Sequence, residues 1–279
     1  MAATPMTTLI DLVNAEAGRL ADYLQGMKVE SWSQDSACQG WRIGDVVAHL
    51  SIAASTWADS LTRAASGDSE PTQGQSYLGA GVRGSEIIAN AATAHFQEKG
   101  SELLSEFTQG YEELQQVMTT LKPEDWDKPC FHRRGKMPLH QFVALRVQEL
   151  AVHGWDIRAG LDSSAAISEE TLPQTVTMVP RWLRTAFVLG LDLPTPVRFR
   201  FDVTGARKIG EDVVVNGKGY EVQAAGTVQA DATFRCDTSN YILLVFGRIG
   251  VDAGVSSGRL SIEGSQERAS EFTSWFKGF

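Results

Sequence analysis

The sequence predicts an α+β chain in two parts, a four-helix bundle over residues 1–162 followed by a smaller α/β domain over residues 163–279. Three observations predict it. As far as about Gly160, apolar residues recur at steps of three and four, the period of helices with one buried stripe. From Val197 the period drops to two, the mark of half-buried strands. A chain of 279 residues also suits two cores of ordinary size better than one.

The first helix is expected over Thr8–Met27, on Leu9, Leu12, Val13, Leu20 and Leu24. The second runs from Ile43 to Ala65 through Val46, Leu50, Ala53, Trp57 and Leu61, and ends before the polar run Ser66–Pro71. Helical sequence resumes at Ser85, a candidate N-cap, and continues to Leu121, where Lys122–Pro123 stops it; Gly100 and Gly110 are possible dividing points. Pro138 suits the first turn of a fourth helix, whose stripe of Phe142, Val143, Val147 and Leu150 closes near Gly160. In the second part, strands are expected at Val197–Val203, at Asp212–Val222 broken by the turn pair Asn216–Gly217, at Ala232–Cys236 and at Arg259–Glu263. Helices are expected at Ser239–Ile249 and Gln266–Phe276.

Composition narrows the function. With 25 Lys+Arg against 34 Asp+Glu, the net charge of −9 opposes non-specific attraction to phosphate backbones or anionic lipid, so neither nucleic acid nor a membrane is an expected partner. The first twenty residues hold no base before Arg19 and acquire Asp11 and Glu16, unlike a signal peptide. The three cysteines, Cys38, Cys130 and Cys236, are odd in number and widely spaced, which suits a reducing compartment, and the expected location is cytoplasmic.

His49 falls on the inward face of the second helix, where a lone imidazole is usually structural. Glu149 and His153 change that reading. They stand four apart among Val143, Val147 and Leu150, and a carboxylate in an apolar bundle demands a partner. Two imidazoles and one carboxylate make a donor set for a divalent cation with an open coordination position. The competing arrangement is a structural polar cluster of Glu149 with Arg146 or His153. Arg146, one turn before Glu149, reads as a partner orienting that carboxylate, whereas Asp156 at i+3 is poorly spaced to hold His153.

The stretch Cys38-Gln-Gly-Trp-Arg-Ile-Gly-Asp-Val-Val-Ala-His-Leu50 resembles the signature of the DinB-like, mycothiol-dependent maleylpyruvate isomerase family. Ala144-Leu-Arg-Val-Gln-Glu-Leu-Ala-Val-His-Gly-Trp-Asp-Ile157 resembles its second signature, and Leu121-Lys-Pro-Glu-Asp-Trp-Asp-Lys-Pro129 its connector. The C-terminal half is similar to the sterol-carrier-protein-type domain attached to these bundles. The resemblance implies a DinB-like bundle with His49, Glu149 and His153 as metal ligands, usually for zinc, and a low-molecular-weight thiol such as mycothiol as co-reactant. It also implies an arginine in the C-terminal region with a part in catalysis.

Arg83 and Arg248 are the candidates for binding carboxylates of thiol or substrate, through the bidentate contact a guanidinium offers. Trp57, one to two turns beyond His49, is placed to face the metal pocket, and with Arg146 is a candidate cofactor contact. His132, Arg133, Arg134 and Lys136 form a basic cluster, read as a solvated rim that at best greets an anionic substrate. Gly79-Ala-Gly81-Val-Arg-Gly84 matches a dinucleotide fingerprint without the strand that should precede it, and is set aside. Cys38 reads as a buried structural thiol.

Three functions remain open. The leading one is a metal-dependent enzyme in which the cation's charge holds a small thiol as thiolate, between bundle and C-terminal domain, for cis–trans isomerisation of an unsaturated oxo acid or for transfer of the thiol to an electrophile. The others are a non-catalytic carrier of lipid or another small molecule with a structural metal, and a metal-dependent hydrolase. The expected partners are a small-molecule substrate and thiol, with the chain a monomer or homodimer.

Overall fold

The computed structural model describes residues 4–72, 74–78 and 84–277. The chain separates into two compact units between Ala166 and Ile167. It is mixed α+β, helical first and sheet-containing second, as the two periodicities predict.

The first unit is built on α1 (Met6–Gln25), α2 (Ile43–Ala65), α3 (Ser85–Lys99), α4 (Leu103–Thr120) and α5 (Leu139–Ala159). Leu9, Val13, Leu20 and Leu24 of α1 are buried in the predicted stripe, as are Val46, Leu50, Ala53, Trp57 and Leu61 of α2. The third helical region is two helices. Gly100, at φ +50°, takes a backbone conformation that L side chains rarely adopt, and breaks the run there. Gly110 breaks nothing: it stays inside α4, where an added Cβ would come within 3.3 Å of the Ala54 Cβ, so its smallness sets how closely α4 approaches α2. Gly84 rather than Ser85 is the N-cap of α3.

Pro138 precedes α5 as its N-cap and does not enter the first turn. It belongs instead to a small hairpin, β1 (Pro129–Cys130) against β2 (Met137–Pro138), in antiparallel register with Pro129 opposite Pro138. Helix α5 is buried nearly all round, from Phe142 and Val143 to Trp155 and Ile157. At its C-terminal end an added Cβ on Gly160 would meet the Asp35 carbonyl oxygen at 2.6 Å, so the loop before α2 lies directly on this glycine.

The second unit begins with two short helices that periodicity did not reveal, α6 (Leu172–Thr175) and α7 (Val179–Ala186). A five-stranded sheet follows in the order β5-β4-β3-β6-β7, formed by β3 (Val197–Thr204), β4 (Ile209–Val215), β5 (Tyr220–Ala224), β6 (Ala232–Asp237) and β7 (Ser261–Gly264). Strands β3 and β6 run parallel and every other pair antiparallel. Val197, Phe199, Phe201 and Val203 alternate inward from β3, and Phe201 stacks on Phe234 of β6 at 4.9 Å between ring centroids. The helices α8 (Thr238–Val245), α9 (Val251–Ser256) and α10 (Gln266–Trp275) complete the unit, with Tyr241 and Phe272 packed on the same aromatic layer. The predicted turn pair joins β4 to β5: Gly217 sits at φ +81°, and Asn216 accepts from the Gly219 amide at 3.0 Å.

Candidate metal centre

His49 projects from α2, and Glu149 and His153 from α5. His49 Nε2 stands 3.6 Å from Glu149 Oε2, beyond a good hydrogen bond. Two donor atoms on one tetrahedral ion, each about 2.0–2.2 Å from it, lie about 3.3–3.6 Å apart. The rings of His49 and His153 have centroids 5.0 Å apart at 75° to one another. Two imidazoles on such an ion would place their centroids about 5 Å apart. His49 and Glu149 therefore stand at ligand spacing and the donor types suit a divalent cation, but the ligand atoms of all three residues do not lie within 4.8 Å of one another, so His153 has to shift to complete the set.

The surroundings of Glu149 come from the same helix. Arg146 Nη2 donates to Glu149 Oε2 at 2.9 Å, the oxygen that also faces His49. Burial opposes ionisation of this carboxyl, but the Arg146 guanidinium and the two imidazoles outweigh it and hold Glu149 well below the usual carboxylate range. Arg146 is 1% exposed, with its guanidinium carbon 4.6 Å from the Trp57 ring centroid and 5.7 Å from that of Tyr111. Its Nε and Nη1 and the Tyr111 hydroxyl are buried without a hydrogen-bond partner among the described residues, so only part of the cost of burying this cation is met. Burial also raises the Tyr111 phenol far above its ordinary value and keeps it protonated.

His153 Nδ1 is 2.9 Å from Asp156 Oδ2. The spacing judged poor from sequence is therefore used. The fully buried Asp156 fixes the imidazole's orientation and leaves Nε2 as the nitrogen that would ligate. Above them lies the loop before α2, tied to α5 by the Ala37 amide on the Asp156 carbonyl at 2.9 Å. In that loop Ser36 Oγ donates to the Trp41 carbonyl at 2.8 Å and accepts from the Cys38 amide at 3.1 Å. The Trp41 ring then lies parallel to His153 at 6.3 Å and edge-on to His49 at 5.5 Å, walling both imidazoles. The same loop sets Cys38 near His153 and Asp156, and one ligand atom from each of these three lies within 4.8 Å of the other two. Among the described residues this is the group of three that lies so close together, and it shares His153 with the predicted set.

The sequence profile of the mycothiol maleylpyruvate isomerase N-terminal domain matches residues 13–158, just over half of the chain and the stretch that carries all these groups. The chain belongs to the mycothiol-dependent maleylpyruvate isomerase family. The profile of the SCP-2 sterol transfer family matches residues 197–277, the sheet and last helices of the second unit. Among solved structures, the crystal structure of the mycothiol-dependent maleylpyruvate isomerase is 15% identical, covers 94% of this chain and 96% of that one, and superposes with a TM-score of 0.63. A histidine-to-alanine mutant of it gives 15%, 94%, 96% and 0.64. The sterol carrier protein-2 like-3 from Aedes aegypti matches 37% of this chain and 96% of its own at 16% identity, with a TM-score of 0.29. No curated protein sequence matches the chain. At 15% identity the two isomerase superpositions establish the fold alone.

Beside His49 and Glu149 opens a cavity of about 210 Å³, walled by Trp57, Ile52, Ile88, Phe131 and Phe142 and edged by Arg133. Trp57 packs against Phe142 at 4.0 Å between ring centroids, so the predicted cofactor contact is a wall of this cavity. Of the predicted site residues of this family member, the structure brings His49, Glu149, His153, Arg146 and Trp57 together. Arg83 and most of the Gly79–Gly84 motif lie outside the described residues. Arg248 belongs to the second unit, in the turn after α8, where its Nη1 donates to the Phe246 carbonyl at 3.1 Å. Sequence reasoning missed Trp41, Tyr111 and the placement of Cys38. Trp41 and Cys38 stood inside the first signature, but only the folded loop turns them to His153. No helix among the described residues is long and apolar enough to cross a membrane.

Proposed function

We propose that the chain is a metal-dependent enzyme that uses a small thiol of the mycothiol type, with residues 1–162 carrying the metal ligands and residues 163–279 forming a separate domain. The observation that carries the reading is the approach of His49 Nε2 to Glu149 Oε2 at 3.6 Å with His153 beside them, at the edge of an apolar cavity. His49, Glu149 and His153 would hold the cation, most suitably zinc given two nitrogens and one oxygen. When bound, that cation supplies positive charge that keeps a small thiol in its thiolate form near neutral pH.

The chain's own groups then have definite tasks. Arg146 keeps Glu149 ionised before the cation arrives, and Asp156 fixes the tautomer and tilt of His153. Trp41 walls the two imidazoles and Trp57 one side of the cavity, which shields them partly from solvent. A thiol held there as thiolate would supply a nucleophile for a double bond conjugated with a carbonyl, the chemistry that cis–trans isomerisation needs if the thiol then leaves again. The same nucleophile would give a thioether if it stayed attached and the neighbouring carbon took up a proton. The named activity of the structural relatives favours isomerisation.

A second ligand set, Cys38, His153 and Asp156, is supported by their mutual proximity. Zinc analysis of Cys38→Ser and His49→Ala separates the two. The favoured set loses zinc with His49→Ala and retains it with Cys38→Ser. Mixing zinc-loaded protein with thiol should release about one proton per site, and cobalt-loaded protein should gain a sulfur-to-metal charge-transfer band. Turnover indifferent to thiol, with no such band, would replace this reading by hydrolysis.

A further inference from the structure

The cavity beside His49 and Glu149 is sharply divided in chemistry. Its walls are mostly hydrocarbon, with Ile52 and Trp57 from α2, Ile88 from α3, Phe142 from α5 and Phe131 from the hairpin, interrupted by Thr56, Ser60 and Gln75. Its edge is cationic. The hairpin carries His132, Arg133 and Arg134 on the loop between β1 and β2, and all three border the cavity.

This loop is fixed in place. The Leu78 amide donates to the Arg133 carbonyl at 2.8 Å, and the Gly135 amide to the His132 carbonyl at 2.9 Å across a turn in which Gly135 adopts φ +117°. The Arg134 amide meets His132 Nδ1 at 3.1 Å, and the His132 ring stands edge-on to Phe142 at 6.4 Å between centroids. The Arg133 guanidinium, half-buried at the edge, has no hydrogen bond or ion pair to another described residue. A held, unpaired cation beside an apolar chamber suits an anion whose remaining atoms fill that chamber.

Size limits the occupant. A cavity of about 150 Å³ takes one benzene ring, and this one, at about 210 Å³, takes a ring with a short chain. We infer that the electrophilic substrate is a small monoanion: a carboxylate held at Arg133, joined by a short unsaturated link to an aryl or branched aliphatic body lying between Ile52, Ile88, Trp57 and Phe142. A compact dicarboxylate fits poorly. Its second charge would lie among mostly hydrocarbon walls that hold neutral polar groups but no second cation away from the edge, where an uncompensated ion is disfavoured. This rests on the proposed function for the identity of the reaction, but the binding it describes needs neither metal nor thiol. The substrate class therefore differs from the maleylpyruvate in the name of the structural relatives.

The test is calorimetric titration of the metal-free, thiol-free full-length protein with trans-cinnamate, its neutral analogue cinnamyl alcohol, and fumarate. The expected result is cinnamate binding at least tenfold tighter than fumarate. Arg133→Gln, on a hairpin loop outside the helical core, should weaken cinnamate about tenfold and leave cinnamyl alcohol unchanged. Thr56→Phe, which fills the chamber from α2, should weaken both organic probes, with thermal melting confirming that each variant folds. N-acetylcysteine at saturating concentration should not displace cinnamate. Fumarate binding as tightly as cinnamate, unchanged cinnamate affinity in both variants, or displacement by N-acetylcysteine would overturn the inference, the last assigning the cavity to the thiol. If the metal reading fails while cinnamate binds as described, the substrate pocket stands by itself.

Discussion

Replacing Arg146 with Met removes the guanidinium that donates to Glu149 at 2.9 Å and keeps most of the side chain's apolar length. Arg146 is 1% exposed and the Glu149 side chain 26%. Removing one partner of a fully buried ion pair costs about 3–5 kcal/mol, because the surviving charge is left uncompensated. Two features reduce that figure here. Glu149 keeps part of its hydration, and the variant no longer buries the two Arg146 nitrogens that lack hydrogen-bond partners. The expected loss for metal-free protein is therefore about 1–3 kcal/mol.

With zinc bound the outcome changes. Arg146 and His49 both face Glu149 Oε2, so a cation placed there competes with the guanidinium for the same oxygen. Once present, the cation neutralises the carboxylate itself. Stability lost on substitution should then be smaller with zinc than without, and the thermodynamic cycle requires the variant to bind zinc at least as tightly as the wild type. Urea denaturation with and without zinc measures the first quantity, and a calorimetric zinc titration the second. Equal losses in both conditions, or zinc binding tenfold or more weaker in Arg146→Met, would refute the electrostatic reasoning and make Arg146 an orienting group on which ligation depends.

Other perturbations test separate parts of the account. Asp212, buried between Arg200 and Arg198, is held below the usual carboxylate range chiefly by the hydrogen bonds from Arg200, against the cost of burial. Because its folded value is lowered, its stabilisation is complete above about pH 4, the unfolded value, and is lost as pH falls through the folded one. Asp212→Asn should cost about 2 kcal/mol at pH 7 and less at pH 3, as read by denaturant melts; a constant loss across that range would contradict the assignment. Burial pushes the thiols of Cys130 and Cys236 up to about 12, so neither should be alkylated by iodoacetamide at pH 8 until the chain unfolds. Rapid labelling of either in native protein, read by peptide mass spectrometry, would show the burial to be wrong. Gly160→Ala places a Cβ against the Asp35 carbonyl, which is backbone and cannot swing aside, and should lower stability by about 1–3 kcal/mol. An unchanged melting temperature would mean that the loop carrying Cys38 and Trp41 does not rest on α5.

The long elements were legible because their burial pattern repeats. Helix α2 spans Ile43–Ala65 as expected, and β3 alternates residue by residue between core and outer face. The hairpin of β1 and β2 was not legible, since two-residue strands show no period and their loop is basic and polar. Nor were α6 and α7, which are too short for a stripe to declare itself. Convergence of His49 with Glu149 and His153 depends on how α2 faces α5, which periodicity in either helix leaves open; the family resemblance supplied that pairing. The buried Asp156 illustrates the opposite limit, where an ideal-helix spacing rule underrated an i+3 contact that side-chain rotation achieves at 2.9 Å.

In the proposed function, His49, Glu149 and His153 hold one cation with a position left for a thiol. X-ray absorption at the zinc edge, on zinc-loaded full-length protein before and after adding thiol, reads this directly. The expected result is one zinc per chain, with nitrogen and oxygen neighbours at about 2.0–2.2 Å and no sulfur before addition, and one sulfur at about 2.3 Å afterwards. Sulfur already present in the thiol-free protein would place Cys38 among the ligands, and a spectrum unchanged by thiol would contradict the claim.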